Sequence, residues 1–146
     1  MRIDASKSRE WSQDLLDRAV EFHGHGGPFL IVGLRMGVTA LKLFNAKGWF
    51  DITCCLDLPF SLPHSCVIDG IQVATGCTMG KRNIEVIDKE DISGDFITDK
   101  GRIRLSLKSK LLEKIEETLA LLDEGATQAL MEELIETDYR NLFEVF

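Results

Sequence analysis

The chain has no surplus of positive charge. Its 17 Lys and Arg residues stand against 24 Asp and Glu, a formal net charge of −7, so nucleic acid is not an expected partner. It also has no uninterrupted apolar run long enough to cross a bilayer. The stretch from Pro28 to Phe44 is broken by Arg35, Lys42 and glycines, and reads as a buried helix rather than a membrane span. Met1 to Asp14 is polar and mixed in charge, with no apolar segment behind a basic start, so no export leader is read. The four cysteines are then expected to be reduced thiols in the cytoplasm. None of them forms a C-x-x-C pair, which excludes a zinc ribbon. P-loop, G-x-S-x-G, H-E-x-x-H and dinucleotide fingerprints are absent as well.

What is present fits one domain over residues 1–146, with 45% apolar and 28% charged residues and enough length for its own core. Apolar positions at Trp11, Leu15, Leu16, Ala19, Val20 and Phe22 predict a helix over 8–22, capped by Ser6 or Ser8. Glycines 24, 26 and 27 end it, and Pro28 opens a second helix running to about Lys47, with Gly48 as its stop. Alternation from Phe50 to Leu58 predicts a strand, and Cys66 to Thr75 a short helix ended by Gly76. Three short strands follow at 83–87, 96–98 and 102–108. Helices from Lys110 and from Ala129 to Leu142 complete the chain. This order predicts an α+β fold, a small mostly antiparallel sheet packed with several helices.

Chemistry concentrates at a few positions. His23 and His25 are two residues apart in a glycine-rich segment, where alternate side chains share a side and a ligand can approach the backbone. Two imidazoles so placed suit one transition metal, and equally suit a plain interhelical turn. Cys66 lies at a helix start, where free amides and the helix dipole are expected to lower a thiol pKa; core packing is the alternative. Cys77 lies past the other end, about 16 Å away at about 1.5 Å per residue. Two thiolates on one zinc must each lie about 2.3 Å from it, so Cys66 is preferred over Cys77. His64 could add a nitrogen beside Cys66, or face solvent as a loop residue. Asp69 and Gln72 share its helical face, as supporting partners or as the helix's polar side. Lys81 and Arg82 sit in the glycine-punctuated segment 76–83, which could hold an anion by its amides but reads more simply as a solvated loop. Packing is the default for Cys54 and Cys55.

Two segments carry a family resemblance. Phe22-His23-Gly24-His25-Gly26-Gly27-Pro28, followed by Gly33-Leu34-Arg35, resembles the F-H-G-H-x-C-P-G…G-x-R element of the E-subunit family of formylmethanofuran dehydrogenase. Residues 66–83 resemble that family's C-x-V-D-A-I-Q-x-x-T-G-C-T-x-G-K-G-N signature, and the likeness covers roughly residues 12–120. The resemblance implies an α+β core, homodimers, and a pocket of His and Cys residues for a transition metal such as zinc. It also implies a link to molybdenum or tungsten oxidoreductase subunits of one-carbon metabolism and methanogenesis. The chain matches the core domain without the zinc finger that some members add. It departs from the pattern where Gly27 replaces a cysteine and Phe29 a glycine. It departs again where His64 and the Pro59–Pro63 loop replace acidic residues, and where Asp88-Lys89-Glu90-Asp91 replaces D-x-G-K.

The leading expectation is a cytoplasmic metal-binding protein with His23, His25 and Cys66 at the ion, and Cys77, His64, Asp69 and Lys81 as further candidates. The alternative is a non-catalytic accessory component of an oxidoreductase complex with a degenerate site. A weaker third is a carrier of an anionic or pterin-type cofactor on the 76–83 loop.

Overall fold

A computed structural model describes residues 3–5 and 9–146. Ser6 and Ser8, the expected caps of the first helix, lie outside the described residues. Helix α1 spans Gln13–His23, and its cap is Ser12, whose Oγ accepts from the Leu15 amide at 3.0 Å. Gly24 closes it in the left-handed region at φ 101°, donating to the Val20 carbonyl at 2.7 Å. Trp11, expected on this helix, precedes it.

Helix α2, Pro28–Phe44, starts with proline behind an extended Gly27 and stops at a left-handed Asn45. Lys47 and Gly48 are therefore beyond it, contrary to the expected end. Strand β1 is Thr53–Leu58, with Cys54, Leu56 and Leu58 facing the core. It begins later than alternation suggests, and Phe50 is left 83% exposed in the preceding turn. The Lys81 ammonium lies over its ring. Helix α3, Cys66–Thr75, matches the expectation and ends at a left-handed Gly76.

Strands β2 (Ile84–Asp88), β3 (Ser93–Thr98) and β4 (Gly101–Leu107) follow, then helices α4 (Ser109–Ala120), α5 (Glu124–Glu136) and α6 (Tyr139–Leu142), and strand β5 (Phe143–Val145). Hydrophobic spacing predicts one final helix continuing to Leu142. Instead Thr137 leaves the helix at ψ 137° and Phe143 pairs with Leu107, adding an edge strand. The five strands form one sheet in the order β2-β1-β3-β4-β5, parallel only between β1 and β2. The fold is α+β, as expected. The helices cover one sheet face. On the other, Arg104 bridges Asp57 at 2.8 Å and Asp95 at 3.0 Å across three strands. No helix of the described residues is long and apolar enough to cross a membrane.

Helices α2 and α3 meet backbone to backbone. A Cβ on Gly33 would stand 2.1 Å from the Val67 carbonyl oxygen, and one on Gly70 2.3 Å from that of Leu30. Both glycines are required by proximity, not by φ. Arg35 leaves the same buried helix sideways. Its guanidinium donates to the carbonyls of Leu134 at 2.6 Å, Ile135 at 2.8 Å and Thr137 at 2.7 Å, satisfying the end of α5.

Gly33→Ala is expected to destabilise the chain by about 3 kcal/mol through overpacking against backbone that cannot move aside. The signature is a lowered urea midpoint at unchanged slope. Gly26→Ala, whose Cβ would meet nothing closer than 3.9 Å, should stay within about 0.5 kcal/mol.

Candidate metal-binding site

The site forms where α1 stops. His23 is the last residue of α1, and the left-handed turn at Gly24 throws the chain back so that His25 lies over it. The two rings are 4.8 Å apart between centroids and tilted by 52°. Their spacing in sequence predicts an extended segment with both rings on one side; a helix end and one glycine bring them together instead.

Each imidazole is held by one nitrogen. His23 Nδ1 lies 2.6 Å from Asp69 Oδ2, on the first turn of α3, and His25 Nδ1 lies 3.0 Å from the Gly26 carbonyl oxygen. A carbonyl oxygen only accepts, so His25 carries its proton on Nδ1 and presents a lone pair on Nε2. The carboxylate fixes His23 in the same tautomer. A carboxylate or carbonyl on the far nitrogen is the usual support of a metal-bound histidine. The donor chemistry therefore fits a transition ion. Among the described residues, however, no three His, Cys, Asp or Glu side chains are arranged to hold one.

Gly27, where the family pattern has cysteine, is extended at φ −158°. A Cβ there would lie 3.6 Å from His25 Cε1, an ordinary contact. The position accepts a side chain without strain, and that side chain would stand beside His25.

Cys66 is the first residue of α3, one turn before Asp69, and half-buried. Its thiol pKa is raised, by burial first and then by the Asp69 charge, although a hydrogen bond to its own backbone acts the other way. This corrects the expected lowering. A helix terminus offers at most about 1 kcal/mol to an exposed charge, less than the roughly 1.4 kcal/mol of one pKa unit. Burial together with a neighbouring anion outweighs it.

The remaining candidates are directed elsewhere. His64 Nε2 lies 3.0 Å from Glu116 Oε2 of α4, and its ring packs on Phe29 at 4.6 Å. Cys77 is fully buried at the far end of α3, donating to the Ile52 carbonyl at 3.4 Å. A hydrogen bond with Cys54 pulls its pKa down to about 7, helped by Thr75, Lys81 and Arg9, while Cys54 is raised by the same bond and by burial. With no exposed surface, neither thiol can meet a substrate. Lys81 Nζ donates to Thr78 Oγ1 at 3.0 Å. The 76–83 loop also spends its amides internally: Thr78 on Asn83, Met79 on Gln72, Lys81 on Thr78 and Arg82 on Met79. That leaves it poorly equipped to hold an anion.

Asp69, Gly26 and Glu116 acquire their roles only through packing. No spacing in the sequence links positions 23 and 69. Cys66 should alkylate with iodoacetamide more slowly at pH 7.5 than a free thiol, because its pKa is raised. Asp69→Asn removes one cause of the rise and should speed the reaction, measured by mass spectrometry of the labelled peptide.

Comparison with known proteins places this geometry. Residues 22–144 match the family described as "FmdE, Molybdenum formylmethanofuran dehydrogenase operon". A "Probable S-adenosyl-L-methionine-binding protein" of Archaeoglobus fulgidus is 39% identical in an 80-residue alignment covering 51% of this chain and 20% of that protein. The chain thus spans only about a fifth of that curated relative's length. The crystal structure of an FmdE-like protein of tungsten formylmethanofuran dehydrogenase from Syntrophus aciditrophicus superposes with a TM-score of 0.67 at 17% identity. That match covers 99% of this chain and 76% of the other, and it shows a shared fold. Because the family match takes in both histidines, Cys66 and the whole sheet, the chain belongs to the FmdE family.

Proposed function

We infer that this chain is a metal-binding FmdE domain in which His23 and His25 face the ion through Nε2, with Cys66 as the thiol donor. The observation that carries the reading is the tethering of both imidazoles by Nδ1, to Asp69 and to the Gly26 carbonyl, with their rings adjacent. Zinc suits two imidazoles and a thiolate, and when bound it would supply Lewis acidity with room for a further ligand. The chain's own part is to fix the tautomer of His23 through Asp69 and to seat His25 over it. The raised pKa of Cys66 means that metal binding there must release a proton, so affinity should rise with pH.

The reading extends to a homodimer in the cytoplasm, working beside molybdenum or tungsten oxidoreductase subunits of one-carbon metabolism. Its support is the family description and the exposed apolar side chains near the site elements: Phe22 at 61%, Phe60 at 62% and Leu62 at 80%. A solution mass near twice 16.4 kDa by light scattering is the expected result; a monomer at all concentrations would refute the dimer.

Elemental analysis of the purified protein tests the site. Near-stoichiometric zinc is expected in the wild type and its loss in His25→Ala. Asp69→Asn should weaken binding by about 10–100-fold. Equal metal in wild type and His25→Ala would sink the reading.

One observation favours a second reading, an accessory component with a degenerate site: the described residues assemble no three-donor cluster, and Gly27 offers no thiol. Metal-free wild type that co-purifies with larger oxidoreductase subunits would establish it. Gly27→Cys should then confer zinc binding, since the new thiol stands beside His25.

A further inference from the structure

A second cavity, of about 1120 Å³, opens at the opposite end of α2 between the segment before α1, the last turns of α2, and α5–α6. The 17 residues of α2 set it about 25 Å from the histidines. Both tryptophans and the single tyrosine of the chain border it: Trp11, Trp49 and Tyr139. Aromatic rings with a polar handle, gathered at one concavity, are the mark of a recognition surface rather than of a core.

Trp49 is held there under strain. It sits in the left-handed region at φ 64°, a conformation that costs a bulky residue. Three contacts impose it. The Trp49 amide donates to the Thr75 carbonyl at 2.8 Å, its carbonyl accepts from Asn83 Nδ2 at 2.6 Å, and the Arg9 guanidinium covers its ring at 4.6 Å. Packing at Gly76 tightens the fit, where a Cβ would stand 2.7 Å from the Trp49 ring.

The wall is cationic in an otherwise acidic protein. Arg9 and Arg35 are engaged by helix-end carbonyls, Arg9 by those of Val73 and Ala74 in α3 and Arg35 by those of α5. Lys42 and Lys47 also line the cavity, are exposed, and have ammonium groups with no partner among the described residues. Two unpaired ammonium groups beside three aromatic rings match a ligand that is anionic at one end and planar at the other.

We propose that this cavity binds a small anion bearing a planar heteroaromatic ring, of the nucleotide class, with Lys42 and Lys47 meeting the anion and the Trp11, Trp49 and Tyr139 wall meeting the ring. The site is separate from the histidines and does not depend on a metal.

Isothermal titration calorimetry of the full chain tests it, using the four ribonucleoside 5′-monophosphates, with neutral adenosine and inorganic phosphate as the two halves. At least one nucleotide should bind with a Kd below about 1 mM, and each half at least about tenfold more weakly. The Lys42→Glu/Lys47→Glu double variant, altered only at exposed side chains, should keep its thermal midpoint and lose about tenfold or more in affinity. His25→Ala should bind as wild type does. No saturable nucleotide binding, equal affinity in the double lysine variant, phosphate or adenosine binding as tightly as every nucleotide, or loss of binding in His25→Ala would each overturn the proposal.

Discussion

Helices α2 and α3 lie so close that carbonyl oxygens of one occupy the space where side chains of the other would begin. Gly33 against Val67, Gly70 against Leu30 and Gly37 against Ala74 leave no room for a Cβ. The contact fixes more than two helices. α3 carries Asp69, which ties down His23, and its end carries the carbonyls that hold Arg9. α2 carries Arg35, which satisfies the end of α5. Widening this contact by one methyl group would shift the histidine site and the aromatic cavity together.

The two buried arginines show how the helical layer is knit without a disulfide. Helix C-termini leave carbonyls without partners, and a guanidinium offers several donors in a fixed plane. Arg35 reaches three carbonyls of and just beyond α5, and Arg9 two of α3. Burial lowers the pKa of both, Arg9 to about 10, which leaves them charged at neutral pH. Their hydrogen bonds to backbone compensate for desolvation that an unpaired cation could not bear. Each also lies over a tryptophan, Arg9 on Trp49 and Arg35 on Trp11, so the same residues that close helices shape the cavity.

At the histidines, geometry and donor count point in different directions, and the physics separates them. The orientation of each ring is decided by its Nδ1 partner, which is present. The number of ligands depends on position 27, where glycine leaves a side chain's worth of ordinary space beside His25. An intact supporting shell around a reduced ligand set is what a metal site looks like after one donor is lost.

Much of the element order was legible in the residues, because hydrophobic period and glycine or proline punctuation act locally. Pro28 opened α2, Gly24 and Gly76 closed α1 and α3, and alternation located β1, β2 and β4 to within a few residues. The sequence also singled out His23, His25 and Cys66 as chemistry beside glycines. It could not show that Trp11 leaves the helical stripe for a cavity, that Phe50 stays outside the sheet, or that 143–145 add a strand. Those outcomes depend on partners more than thirty residues away, such as Leu107 for Phe143 and Asn83 for Trp49. Nor could spacing anticipate that burial and Asp69 would raise the Cys66 pKa against the pull of the helix end. The sequence by itself determined the helices, most strands and the residue types at the site. Only the tertiary structure decided which donors meet, because the His23–Asp69 link exists solely where α1 packs across α3.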